Sequence, residues 1–166
     1  MRWALAACLV AGCLLVGRAM ASGCRRRVAV LDGLIRGLQD LRVHMTRMLE
    51  PAARALGQTD CPLLRKVGAA MTPGVSAGEA WQAVCGAENV RGGDMDALTR
   101  EDREALNALF EHLGECGRQQ QDERLCDAVR ALRQNLEGAR VRAGEAEKLY
   151  GSLGLLVGLM LALIVV

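Results

Sequence analysis

Aromatic side chains are almost missing from this chain: two tryptophans, one tyrosine and one phenylalanine in 166 residues. A core made from such a composition is aliphatic, and a nucleic-acid surface that stacks bases on rings is excluded. Isoleucine and threonine are scarce as well, which removes the β-branched runs that favour strands. Leucine and alanine take the apolar positions, and both form helices readily. Lysine occurs only at Lys66 and Lys148, and the net charge of +2 is too small to suggest a nucleic-acid partner. Neither GxxxxGK[ST] nor GxGxxG occurs, so the two common glycine-rich phosphate cradles are missing. The composition predicts an all-α protein.

Seven cysteines are present, without a CxxC pair. Cys8 and Cys13 fall in an apolar run, leaving an odd five (Cys24, Cys61, Cys85, Cys116 and Cys126) with irregular spacing. A disulfide framework wants an even, dense set in a small exported domain, so free thiols in a reducing compartment fit better. His112, Cys116 and Cys126 are too few and too loosely spaced for a four-ligand zinc site. His44 and His112 are the only imidazoles, and neither lies in a thiol-protease signature. The expectation is a protein with no catalytic residue, no metal and no cofactor.

What the chain does have is a long last third. Leu125, Val129, Leu132, Leu136, Ala139, Ala143, Ala146 and Tyr150 recur at alternating steps of four and three, the seam of a helix packed on another helix. Arg130, Arg133, Glu137, Arg140, Arg142, Glu145, Glu147 and Lys148 fill the other faces. Beyond Tyr150 the run GSLGLLVGLMLALIVV carries no charge. At 1.5 Å per residue this end covers roughly 25 Å, just short of the ~30 Å hydrocarbon layer. A helix apolar on every face belongs in a core or a bilayer, so residues 150–166 are predicted to be a membrane helix. Within it Gly154 and Gly158 form a Gly-x-x-x-Gly face, extended backward by Gly151, of the kind that lets helices approach closely in lipid.

The N-terminus offers a second apolar run, WALAACLVAGCLLVG from Trp3. A cleaved signal peptide and a lipid-attachment box ending at Cys24 are alternative readings, both giving an exported or lipid-anchored envelope protein. Charge favours a retained anchor: Arg2 precedes the run, whereas Arg18, Arg25, Arg26 and Arg27 follow it. The positive-inside rule then places the following domain in the cytosol, and Arg140, Arg142 and Lys148 before the second run give the same answer. The predicted organisation is a membrane helix over residues 1–24, a cytosolic helical bundle over 25–149 and a second membrane helix over 150–166.

Between the ends, Leu31, Leu34, Leu38, Leu41, Met45 and Met48 mark a helix from Arg27 to Leu56, interrupted or kinked at Pro51. A short helix with Leu64 and Val67 inward follows, then a turn at Thr72, Pro73 and Gly74. Ser76 with Glu79 reads as a capping box opening a helix that buries Trp81. Residues 86–97 read as a loop, most flexible at Gly92 and Gly93. Thr99 with Asp102 opens the next helix, whose stripe is Leu106, Leu109, Phe110 and Leu113, with Gly114 as its C-cap. The carboxylate pairs Glu101/Asp102 and Glu145/Glu147 read as solvated faces. Four to six helices in an antiparallel bundle are expected, cored by Leu31, Leu34, Leu38, Leu41, Trp81, Leu106, Leu109, Leu113, Leu125, Val129, Leu132 and Leu136.

Several of these segments together carry a resemblance. The stretch from Thr99 to Leu113 and Gly114, then Gln121 and Leu125 onward to the LYGSLGLLVGL tail at Leu149 to Leu159, resembles the stage III sporulation protein AB family of endospore-forming bacteria. Leu34, Ile35, Arg36, Leu38, Gln39, Leu41 and Pro51 agree in the first helix, and Ala80 with Trp81 looks like the family's Ala-Trp pair. Gly117 stands where the family usually has an aspartate, and Phe110 is displaced by one position. The resemblance implies a non-enzymatic membrane scaffold in the channel that links mother cell and forespore. It also implies a soluble part similar to the cytosolic domain of the type II secretion inner-membrane platform protein. The partners so implied are other membrane proteins of that complex, a secretion-type ATPase and further copies of the chain.

Overall fold

The structure, a computed structural model, describes residues 2–88 and 93–165; for residues 2–21 and most of 150–165 it describes the backbone alone. Among the described residues all regular structure is helical: α1 (Arg2–Thr46), α2 (Ala52–Gln58), α3 (Pro62–Ala70), α4 (Ala77–Glu88), a 3₁₀ turn (Asp94–Ala97), α5 (Arg100–Phe110) and α6 (Arg118–Val165). The chain divides into two compact units. One takes the outer ends of the long helices, residues 1–28 and 138–166, and the other takes residues 29–137.

The second unit is the helical body. Leu31, Leu34, Leu38 and Leu41 of α1 are fully buried, together with Leu56, Leu64, Val67, Trp81, Leu106, Phe110, Leu125 and Leu132. Burying one such leucine stabilises the fold by about 1.5–3 kcal/mol. Close approach is bought by glycine at two contacts. A Cβ on Gly37 of α1 would stand 2.6 Å from the Cys61 Cβ and 2.7 Å from the Leu64 Cδ1, so α1 and α3 touch there only because the side chain is missing. A Cβ on Gly68 of α3 would stand 2.9 Å from the Leu56 Cβ of α2.

The helix ends follow local chemistry. Helix α1 stops at Thr46, ten residues short of the Leu56 expected from its periodicity. The proline at Pro51 disfavours helical backbone at the residue before it, so the helix must close earlier. It does so with Leu49 at φ +59° and with the Glu50 N–H donating to the His44 carbonyl at 3.2 Å. Pro51 then caps α2 rather than kinking a continuous helix. Met48, read as part of the inward stripe, is 59% exposed because it lies past the end of the helix. Pro62 opens α3 in the first helical turn, where its missing N–H costs nothing. Ser76 and Glu79 form the reciprocal cap of α4: the Ser76 N–H donates to the carboxylate at 2.9 Å, and the Glu79 N–H donates to the hydroxyl at 3.2 Å. Gly114 does take a left-handed φ of +90°, but α5 has already ended at Phe110 and residues 111–115 form turns.

In the other unit α1 and α6 are joined by an ion pair between Arg25 and Glu147 at 3.0 Å. Ala139 is buried, whereas Val141, Leu149, Leu156 and Met160 are exposed apolar side chains on α6. Among the described residues no helix is long and apolar enough to cross a membrane. The two expected spans, residues 1–24 and 150–166, have side chains that lie largely outside the described residues.

Candidate functional site

The polar groups of the body are held at its joints. At the head of α5, Thr99 and Asp102 make a capping box; the Thr99 N–H and hydroxyl donate to Asp102 Oδ2 at 2.9 and 2.8 Å. The other oxygen, Oδ1, accepts from Asn135 Nδ2 of α6 at 2.7 Å. Asp102 is fully buried, so its reading as part of a solvated face is corrected: the cap is folded in against α6 and closed to solvent. A buried carboxylate is stable only when donors satisfy it, and these bonds do so while fixing α5 to α6.

A second joint ties α4 to α5. Trp81 is fully buried, its indole N–H donates to Asn107 Oδ1, and its ring stacks on Phe110 at a centroid distance of 4.6 Å and an interplanar angle of 12°. The chain's small aromatic stock is thus spent largely on one contact. Buried indoles want a partner for their N–H, and Asn107 provides it.

A third joint is made where α1 ends beside the start of α6. The Arg42 guanidinium forks onto Asp122, Nε to Oδ1 at 2.5 Å and the terminal nitrogen to Oδ2 at 2.8 Å. That hydrogen bond holds the Asp122 carboxyl below the usual carboxylate range and raises Arg42. Gln121, one residue earlier, is buried, and its amide approaches the Met45 sulfur. His44 meets Glu50 at 3.2 Å across the turn that closes α1. Met48 and Leu49 project from that same turn, each 59% exposed.

The cysteines carry no disulfide among the described residues. Burial pushes the Cys61 thiol up, and it pushes Cys85 up to about 11 although Arg103 nearby acts the other way. Thiolate is the reactive form, and burial disfavours it at both positions. Among the described residues no three His, Cys, Asp or Glu side chains are gathered to hold a metal ion.

The twelve residues named as core from the sequence all lie inside, none more than 9% exposed. Gly151, Gly154 and Gly158 lie on the helical backbone of α6, and the packing around them lies outside the described residues. Among the arginines on the polar faces of α6, Arg130 is bonded to Asp127 one turn away. Sequence reasoning missed Asn135, Met95 and Leu98, and named Gln121 without foreseeing its burial. Asn135 stands one position before the seam residue Leu136, and that flank was the signal available for it.

The family model of stage III sporulation protein AB matches residues 2–166. No curated protein and no solved structure matches the chain.

Proposed function

Because the chain belongs to the stage III sporulation protein AB family, we propose that it is a non-enzymatic scaffold in the membrane complex joining mother cell and forespore during endospore formation. In this reading residues 1–24 and 150–166 are membrane spans, and residues 25–149 are a cytosolic body that receives a secretion-type ATPase and neighbouring membrane proteins. One observation carries the reading: α1 and α6 each include an uncharged apolar end and a share of the packed body. A helix of that kind suits a part that must hold a soluble module at a bilayer. The polar chemistry is consistent with a scaffold, since Asp102, Trp81 and Arg42 are each engaged in helix-to-helix bonds. Self-association of the body and docking of the ATPase on it belong to the same reading.

The experiment is affinity purification of the full chain from detergent-solubilised membranes of sporulating cells, with and without Gly154→Leu. Recovery of a secretion-type ATPase and integral membrane proteins with the parent, and their loss with the variant at equal expression, supports the scaffold. Recovery of the chain alone from both preparations overturns it.

A further inference from the structure

The charges are shared unevenly between the two units. Residues 1–28 and 138–166 hold eight basic and two acidic residues, a net of +6, whereas residues 29–137 hold thirteen and seventeen, a net of −4. Seven of the eight basic residues lie at 18–27 and 140–148, at the margins of the two uncharged runs, and no acidic residue precedes Asp32. Arg25, Arg26 and Arg27 are consecutive on α1, so they fan over roughly 200° of its surface. The Arg25–Glu147 pair brings α6 to the same level, with Lys148 the next residue along it. A span needs only a modest positive bias to set its orientation, and this excess is larger than that and gathered into one band.

We propose that this band is a collar that binds the phosphates of anionic phospholipids. The inference rests on the two-span reading and adds to it a lipid class and the residues that select it. Guanidinium groups match phosphate oxygens in pairs, and four of the collar's residues before Asp32 are arginines. The Arg25–Glu147 pair, with side chains 49% and 60% exposed, is weak in water and exchanges readily for a lipid phosphate. Basic groups within a Debye length of an anionic leaflet add their attractions, while the net-negative body gains nothing from such a surface.

The test uses the full chain reconstituted in phosphatidylcholine vesicles, with spin-labelled phosphatidylglycerol or spin-labelled phosphatidylcholine as the reporter. The collar predicts a motionally restricted lipid component that prefers phosphatidylglycerol by about five-fold or more at low salt, the factor that a single basic residue at such a surface supplies. The preference falls toward unity in 1 M salt, where the Debye length is about 3 Å. The triple variant Arg26→Gln, Arg27→Gln, Lys148→Gln loses it, and Glu147→Gln, which removes a competing carboxylate, strengthens it. Equal association of both lipids at low salt overturns the collar while leaving the spans in place. Loss of the preference on adding inorganic phosphate at constant ionic strength assigns the band to a soluble phosphate and also overturns it. A complete lack of restricted lipid removes the two-span reading, and the collar with it.

Discussion

Asn135 of α6 donates a 2.7 Å hydrogen bond to the fully buried carboxylate of Asp102, the residue that caps α5. One side chain therefore serves both the start of a helix and its contact with the longest helix of the body. Removing the donor takes one hydrogen bond from a carboxyl group held away from water. Asn135→Ala should destabilise the chain by about 1–3 kcal/mol, read as a lower denaturation midpoint. Asp102→Ala should cost more, because the cap is lost with the tie. An Asn135→Ala protein as stable as its parent would show the bond to be incidental.

Two glycines four residues apart on α1 should respond in opposite directions. The Cβ of Gly37→Ala would meet Cys61 and Leu64 well inside contact distance, so overpacking should destabilise by about 1–3 kcal/mol. Nothing lies within 4 Å of the Cβ position at Gly33. Gly33→Ala should stabilise by up to about 1 kcal/mol through helix propensity. Thermal melts of the pair decide it, and equal effects would refute the close approach of α1 to α3.

Leu49 holds a left-handed φ of +59° and yet exposes most of its side chain. That conformation costs a non-glycine residue about 1–2 kcal/mol, and glycine escapes most of it. Leu49→Gly should therefore raise stability, whereas Leu49→Val should lower it further. A fall in stability for the glycine variant would mean that the leucine side chain earns its place by packing.

Acid should weaken the fold through Glu79 and Asp122. The Ser76 N–H and hydroxyl hold Glu79 below its ordinary 4.5, and the Arg42 hydrogen bond holds Asp122 below its ordinary 3.8. A depressed carboxyl contributes stability that is present above its unfolded value and is lost as pH falls through its folded value. Stability should thus decline as pH drops below 4.5, and Glu79→Gln should flatten the upper part of that decline. Denaturation midpoints from pH 6 to pH 3 measure it; identical slopes for parent and variant would contradict the role of the cap.

Much of the body was legible because one force wrote it. The period of the apolar residues on α1, α5 and α6 reports burial directly, and Leu31, Leu34, Leu38, Leu41, Leu106, Leu109, Leu125, Val129, Leu132 and Leu136 lie inside. The capping boxes at Ser76 and Thr99 were legible for a similar reason, since each is a local pattern with a local cause. Tertiary events left weaker traces. The burial of Asp102 depends on Asn135, thirty-three residues away, so the local pattern showed the cap and hid the enclosure. Helix α1 ended early because Pro51 acts through the residues before it, and the period of Met45 and Met48 ran on past that boundary. Met95 entered the core from a single 3₁₀ turn, too short for any periodicity to show.

In the scaffold we propose, the helical body stands in the cytosol between two membrane spans. The most direct measurement is protease accessibility of a cleavage site inserted at Gly93, in intact cells and after permeabilisation. The site should be protected in intact cells and cut once the membrane is opened. Cleavage in intact cells would contradict it, overturning the charge argument from Arg25, Arg26 and Arg27 and making an exported or lipid-anchored protein the reading to pursue.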